Sequence, residues 1–311
     1  RPHAEHNAII NCFEDLKGSK MYISLEPCNH YGKTSPCTKK IIKNKIGEVY
    51  YPIDDIDIKV KGKSYSILKN SDIKVKKGLL KKEALSLYKS YYINRKKQLP
   101  YVIGKIALSK NKIIYSDVSK KITNEISDKL THYLRLKCDG IMVTSETLNI
   151  DNPKLSCRLE GSARHSPKRI ILDKNLKVDL KSYVVKSIKN GNTIIFYNSN
   201  NLIKKNFLKK KGAFLINQPI QKHKNFDLKK ILKKLYMVGV KNLLVEGGDK
   251  LTKSFLQKRM FNEFYMFKST KNLLKGNKYI NFTSFDILDT KYNKYKTNFK
   301  LATDKITIYT N

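Results

Sequence analysis

The feature that most constrains this chain is a set of three side chains of metal-binding type, His3, Cys28 and Cys37, with a carboxylate at Glu5. Two thiolates and one imidazole fill three tetrahedral positions around Zn²⁺ and leave the fourth for water, which the metal acidifies toward neutral pH. A carboxylate two residues from the imidazole can take that water's proton and pass it to a substrate ring, which makes Glu5 a catalytic candidate and not a ligand. Taken alone, His3-Ala4-Glu5 reads as a surface histidine, and Glu26-Pro27-Cys28 with Cys37 reads as packing cysteines. Both together, in that order, leave coincidence a poor explanation.

Composition narrows the setting. Five cysteines, an odd number, are scattered through 311 residues, which argues against a secreted disulfide framework and leaves metal binding or burial. Cys12 fits no motif position and is expected to be a small buried residue. No run of about 18 apolar residues occurs, and no charged-then-apolar leader opens the chain. The expectation is a cytoplasmic protein without a membrane partner, whose first residue is not its natural start. The formal charge is +38, yet only seven of the 64 basic residues are Arg. Lys spread evenly beside Ile, Asn and Tyr reads as compositional drift, and no dedicated nucleic-acid partner is expected. A positive field would still favour small phosphorylated ligands.

Hydrophobic patterning predicts two domains, 1–97 and 98–311. In the first, 20–25 and 47–52 read as strands around a helix from Cys37 to about Lys45, and 82–94 has helical spacing before a polar stretch that closes at Pro100. In the second, strand-like runs at 101–108, 140–144, 169–172, 193–197, 213–216 and 242–245 alternate with helices near 124–137, 227–238 and 249–258. That alternation predicts an α/β fold with a mainly parallel sheet. Val245-Glu246-Gly247-Gly248 sits between a strand and a helix, where glycines let a backbone approach a phosphate.

The H-x-E and P-C pair is the cytidine-deaminase-type signature. The eight residues between Cys28 and Cys37, in EPCNHYGKTSPC, narrow it further. That stretch resembles E-P-C-x-H-x-G-x-T-x-P-C of the deaminases of riboflavin biosynthesis, with His30, Gly32, Thr34 and Pro36 matching. The second half is similar to the reductase of the same bifunctional family. Lys105-Ile106-Ala107-Leu108-Ser109 matches K-x-A-x-S, and His132 to Arg135 matches H-x-L-R. The run from Thr147 through Asp151, Pro153 and Leu155 to Arg158 matches T-x-x-x-D-x-P-x-L-x-x-R, and the Glu246-Gly247-Gly248 turn follows in family order.

The resemblance implies a cytidine-deaminase-like domain lacking its N-terminal strands, followed by a dihydrofolate-reductase-like domain. It implies hydrolytic deamination of a diaminopyrimidine ribosyl phosphate, then NADPH reduction of the ribosyl group to a ribityl chain. Carried over by position, His3, Cys28 and Cys37 are zinc ligands and Glu5 is the proton shuttle. His6 is read as capping or solvating its helix, and His30 as a hydrogen-bond donor within its loop. Ala107, Thr147, Asp151 and the loop from Gly248 are expected at the cofactor, and Ser119, Leu155, Arg158 and Glu246 at the substrate. Arg158 suits a phosphate because its planar fork binds two oxygens. Lys121 stands where the family has an aromatic against the cofactor. Lys110-Asn111-Lys112 replaces a glycine turn, with Asn111 expected in the left-handed position. A homo-oligomer is expected. The alternatives are a reductase with a degenerate deaminase, or an RNA-editing adenosine deaminase, against which the cysteine spacing and the reductase motifs both stand.

Overall fold

The computed structural model describes residues 3–311 except 33, 120, 190, 221–224, 296 and 298. The chain forms two compact units, Arg1–Gln98 and Leu99–Asn311.

The first unit runs α1 (Ala4–Ile10), β1 (Lys20–Tyr22), α2 (Cys37–Lys43), β2 (Glu48–Tyr51), α3 (Lys63–Lys69), β3 (Lys74–Lys77), α4 (Lys81–Leu87) and α5 (Lys89–Lys97). Its sheet is parallel throughout, in the order β1-β2-β3. Strand alternation sorts the faces. Met21, Val49 and Val75 lie in register and pack with Ile41, Leu68 and Tyr51 into a small core. On the other face Tyr22 stacks on Tyr50 with centroids 4.6 Å apart, and the Lys76 ammonium lies 5.1 Å from the Tyr50 ring.

The second unit continues with β4 (Tyr101–Leu108), β5 (Ile113–Ser116), α6 (Glu125–Leu136), β6 (Gly140–Thr144), α7 (Ser145–Asp151), β7 (Lys168–Leu172), α8 (Tyr183–Lys186) and β8 (Thr193–Tyr197). Then come α9 (Leu202–Lys210), β9 (Phe214–Asn217), α10 (Leu228–Met237), β10 (Asn242–Val245), α11 (Asp249–Gln257), β11 (Glu263–Lys268), β12 (Tyr279–Asn281), α12 (Phe285–Lys291), β13 (Asn293–Tyr295) and β14 (Lys305–Thr310). The main sheet has the order β13-β14-β11-β4-β10-β6-β7-β8-β9. From β11 to β9 every pairing is parallel, and β14 alone runs against the rest, antiparallel to both β11 and β13. Buried on both faces, β6, β7 and β8 read as continuous apolar runs, as parallel strands do. None of the described helices is long and apolar enough to cross a membrane.

Several expectations are corrected. The helix expected over 82–94 is two helices meeting at Tyr88, and the polar residues Arg95–Lys97 belong to α5. Cations at a helix C-terminus are favoured by the dipole, and the chain leaves the helix only at Gln98, with φ 52°. The first strand stops at Tyr22, not at residue 25. Cys12 is exposed, because it lies beyond the end of α1 where no core packs. In the turn after β4 the left-handed residue is Lys112, with φ 65°, not Asn111. Asn111 is instead a connector, accepting from Ser109 Oγ at 2.6 Å and exchanging two hydrogen bonds with the Leu273 backbone.

Gly104 in β4 faces an aromatic cluster in which Phe255, Phe261, Phe264 and Phe282 follow one another with centroids 5.1, 5.2 and 6.4 Å apart. A Cβ on Gly104 would stand 2.6 Å from the Phe261 ring. Gly104→Ala should therefore lower the unfolding free energy by about 1–3 kcal/mol through overpacking. Urea unfolding followed by far-ultraviolet circular dichroism suits a chain without Trp, and an unchanged midpoint would show that the cluster yields freely.

Candidate functional site

In the first unit the three candidate metal ligands come from three local structures. His3 is the N-cap residue of α1, Cys28 lies in the loop after β1, and Cys37 opens α2. Their donor atoms all lie within 4.8 Å of one another. His3 Nδ1 is 3.4 Å from each of the two sulfurs. Metal–ligand lengths of about 2.0–2.3 Å give tetrahedral edges of roughly 3.5–3.8 Å, so the cluster has the size and donor chemistry that zinc requires.

The α2 N-terminus is turned on Cys28. The Cys37 amide donates to its sulfur at 3.3 Å, and the Thr38 amide donates to its carbonyl at 3.1 Å. The hydrogen bond from the Cys37 thiol, together with that amide and His3, outweighs burial and lowers the Cys28 thiol to about 5. Cys37 is pushed up by the same shared proton, by burial and by the Glu5 carboxylate. Glu5, in the first turn of α1, thus stands at Cys37 and within the cluster's electrostatic reach.

A buried carboxylate, Glu26, fixes the segment that carries Cys28. It accepts from the Asp55, Gly62 and Ser64 amides at 3.0, 2.9 and 3.1 Å, while Ser64 Oγ donates to Pro27 O at 2.6 Å. His6 Nδ1 lies 2.6 Å from Lys40 Nζ, a contact beyond solvation or capping. His30 Nδ1 is buried with no hydrogen-bond partner among the described residues, so this nitrogen does not serve as the loop donor expected of it.

In the second unit the candidate residues gather at the C-terminal ends of three adjacent parallel strands, β4, β10 and β6, where open α/β sheets hold ligands. Ala107 is half-buried near the end of β4, in register with Phe267. Thr147 lies in the first turn of α7, its amide donating to Thr144 Oγ1 at 3.2 Å, and Asp151 is exposed at that helix's end. Leu155 is buried with φ 54°, and Arg158 is exposed three residues later. Gly248 is the N-cap of α11, whose first turn has no side-chain cap. A Cβ on Gly247 would stand 2.9 Å from Leu251 Cβ, so this glycine is required by the tight strand-to-helix turn, whereas Gly248 borders open space. Ser119 is half-buried in the loop before α6, and Lys121 pairs with Asp128 at 3.6 Å.

Glu246 is committed to a partner that the sequence reading gave no role. Arg135 Nε and Nη2 donate to its two oxygens at 2.7 and 2.8 Å, and Arg135 Nη1 donates to Ser156 O at 3.1 Å. Burial pushes the Glu246 carboxyl up, but Arg135 and Lys105 outweigh it and hold it at about 2. Lys105 is pulled below the usual ammonium range by burial, and its ammonium lies 5.5 Å from the Phe267 ring. His132, one turn before Arg135, is kept neutral by burial and by Arg135 and Arg158, with its pKa lowered to about 4. The signal for Arg135 and Lys105 was present in the H-x-L-R and K-x-A-x-S runs. What the sequence lacked was the pairing of residues 111 positions apart.

Residues 1–53 match the cytidine and deoxycytidylate deaminase zinc-binding region, and residues 112–273 match the RibD C-terminal domain. The chain is 33% identical over 278 residues to the riboflavin biosynthesis protein RibD of Aquifex aeolicus, covering 89% of this chain and 76% of the relative. It is likewise 33% identical over 273 residues to that of Actinobacillus pleuropneumoniae, covering 86% and 71%. A solved diaminohydroxyphosphoribosylaminopyrimidine deaminase/5-amino-6-(5-phosphoribosylamino)uracil reductase from Thermotoga maritima superposes with a TM-score of 0.83 at 26% identity, over all of this chain and 85% of that one.

Glu246 and His132 act in the same direction on acidification. Glu246 binds its proton at about 2 when folded against 4.5 otherwise, so its stabilisation is complete above pH 4.5 and is lost as pH falls toward 2. His132 takes its proton at about 4 when folded against 6.5 otherwise, so the unfolded chain is favoured progressively as pH falls from 6.5 to 4. The unfolding free energy from urea titration should fall across the upper window, by roughly 3 kcal/mol at most from His132. His132→Asn should flatten that limb, and an unaltered slope in the variant would sink the assignment.

Proposed function

Because this chain belongs to the RibD family of riboflavin-biosynthesis proteins, we propose that it works as a two-step enzyme on small phosphorylated pyrimidine ribosides. The first step is hydrolytic deamination of the diaminopyrimidine, and the second is reduction of the ribosyl group of 5-amino-6-(5-phosphoribosylamino)uracil to a ribityl chain. The observation that carries the reading is the His3–Cys28–Cys37 cluster with Glu5 beside Cys37. The family adds a zinc-binding deaminase region and a reductase domain in one chain.

In the deaminase unit His3, Cys28 and Cys37 would hold zinc, which when bound supplies the Lewis acidity for attack by water. Glu5 receives the proton that the attacking water loses and returns it to the departing ammonia, so the carboxylate is unchanged over the cycle. The Cys37 amide stabilises the Cys28 thiolate, and Glu26 keeps the Cys28 segment in place through the loop amides.

In the reductase unit the uncapped first turn at Gly248, with Ala107, Thr147 and Asp151, would bind a nicotinamide cofactor, which supplies the reducing equivalents. We assign NADPH as the donor, with Lys121 replacing an aromatic contact by charge. Ser119, Leu155, Glu246 and Arg158 would hold the substrate. Among the described residues Arg158 is the one Arg whose guanidinium makes no hydrogen bond or ion pair, which suits it to the substrate phosphate. Lys105, whose charge is coupled to the Arg135–Glu246 pair, would deliver a proton to the opening ribosyl ring. Self-association and a cytoplasmic setting complete the proposal.

Two assays on the full chain test it: zinc content with deamination of the diaminopyrimidine substrate, and NADPH against NADH consumption with the deaminated substrate. Both activities are expected, with NADPH preferred, and zinc-free protein without either activity would refute the reading. Glu5→Gln should retain stoichiometric zinc while deamination falls roughly 10²–10⁴-fold. Turnover equal to that of the parent would remove Glu5 from the mechanism.

A further inference from the structure

His132 is buried on α6, with 8% of its surface exposed, and the chemistry described so far does not use it. Both of its polar contacts go to one loop. The Arg158 backbone amide donates to His132 Nδ1 at 3.2 Å, and the Cys157 thiol donates to the His132 carbonyl at 3.5 Å. One helical turn later Arg135 Nη1 takes the Ser156 carbonyl at 3.1 Å. Three successive residues, 156 to 158, are therefore tied to a single turn of α6. Leu155, immediately before them, is buried in the left-handed region at φ 54°, a conformation that a branched side chain holds only when its surroundings impose it.

We propose that His132 is a positioning residue, which clamps the Leu155–Arg158 loop so that the Arg158 guanidinium projects where the reductase unit takes its substrate phosphate. The proposal rests on the reading of Arg158 as the phosphate-binding residue. The clamp requires an acceptor at Nδ1, so the imidazole must be unprotonated on that nitrogen. The groups around it enforce this: burial, Arg135 and Arg158 disfavour a cation, and Glu246 and Asp128 favour it less strongly.

A core-filling histidine would behave differently, and two variants separate the roles. His132→Asn keeps an acceptor at the δ position, whereas His132→Leu keeps bulk and removes the acceptor. Hydrogen exchange at the Arg158 amide is measured in the full chain. The reductase step is measured with the phosphorylated substrate and with its dephosphorylated counterpart. In His132→Leu the Arg158 amide should exchange faster. The KM for the phosphorylated substrate should rise roughly tenfold, the effect of one hydrogen bond to a charged site. In the same variant kcat and the KM for the dephosphorylated compound should stay near parental values. His132→Asn should restore both readouts. Parental exchange at Arg158 in His132→Leu overturns the clamp, and a KM raised equally for both compounds overturns the positioning role. Arg158→Ala separates this proposal from its premise. If that variant leaves the phosphorylated KM unchanged, the phosphate assignment fails and with it the substrate half of the proposal, while the exchange result decides the clamp alone.

Discussion

The bidentate ion pair between Arg135 and Glu246 is the interaction on which the reductase half depends. Two buried charges lose several kcal/mol of hydration each, and a single contact seldom offsets that loss. Here both carboxylate oxygens are taken at 2.7 and 2.8 Å, and a third guanidinium bond reaches Ser156. The pair joins α6 to the turn after β10 and, through Ser156, to the loop that bears Leu155 and Arg158. A lysine in place of Arg135 could neutralise Glu246 but could not reach three acceptors in one plane. With Glu246 charge-paired by Arg135, Lys105 adds a further positive charge that favours the ionised carboxylate.

The deaminase half solves a similar problem with backbone amides. Glu26 is buried, and its partners are three N–H groups, of Asp55 and Gly62 in the loop after β2 and of Ser64 at the start of α3. Amides cannot titrate or leave, so this carboxylate serves as a fixed brace for the Cys28 segment. In the first unit Cys28 and Cys37 follow β1, and in the second the candidate residues from Ala107, Thr147 and Glu246 onward lie at or beyond the ends of β4, β6 and β10. The sheet is what brings sequence-distant residues to one point, and the buried carboxylates hold the loops there once they arrive.

What the sequence disclosed follows from how local each signal is. Strands β6, β7, β8 and β10 were legible as apolar runs, and the His3–Cys28–Cys37 set was legible because ligand spacing in sequence is itself chemical information. Residues beyond 260 were not read, although β11 and β14 are a long antiparallel pair in the main sheet. Their polar Lys and Asn neighbours blur the period, and their pairing spans some forty positions of chain. The roles of Arg135, Lys105 and His132 were hidden for the same reason, since each is defined by a partner that folding alone supplies. Asn111 was misread because a turn propensity is local, while its actual partner, Leu273, is remote.

The distribution of arginine carries one more step. In a chain that uses Lys almost everywhere, seven positions have kept Arg. Two of them use the guanidinium as a fork: Arg135 makes three bonds, and Arg169 is buried and reaches Ser187 Oγ, Ser187 O and Asn192 Oδ1. Arg259 reaches Asn311, and Arg95 pairs with Asp57. A planar fork is indispensable only where several acceptors must be met in one plane, as at Arg135 and Arg169. Among the described residues the Arg158 guanidinium makes no such contact. Its backbone amide is nonetheless tied to His132 Nδ1 on α6, so the loop that carries this guanidinium is fixed where the guanidinium itself is exposed.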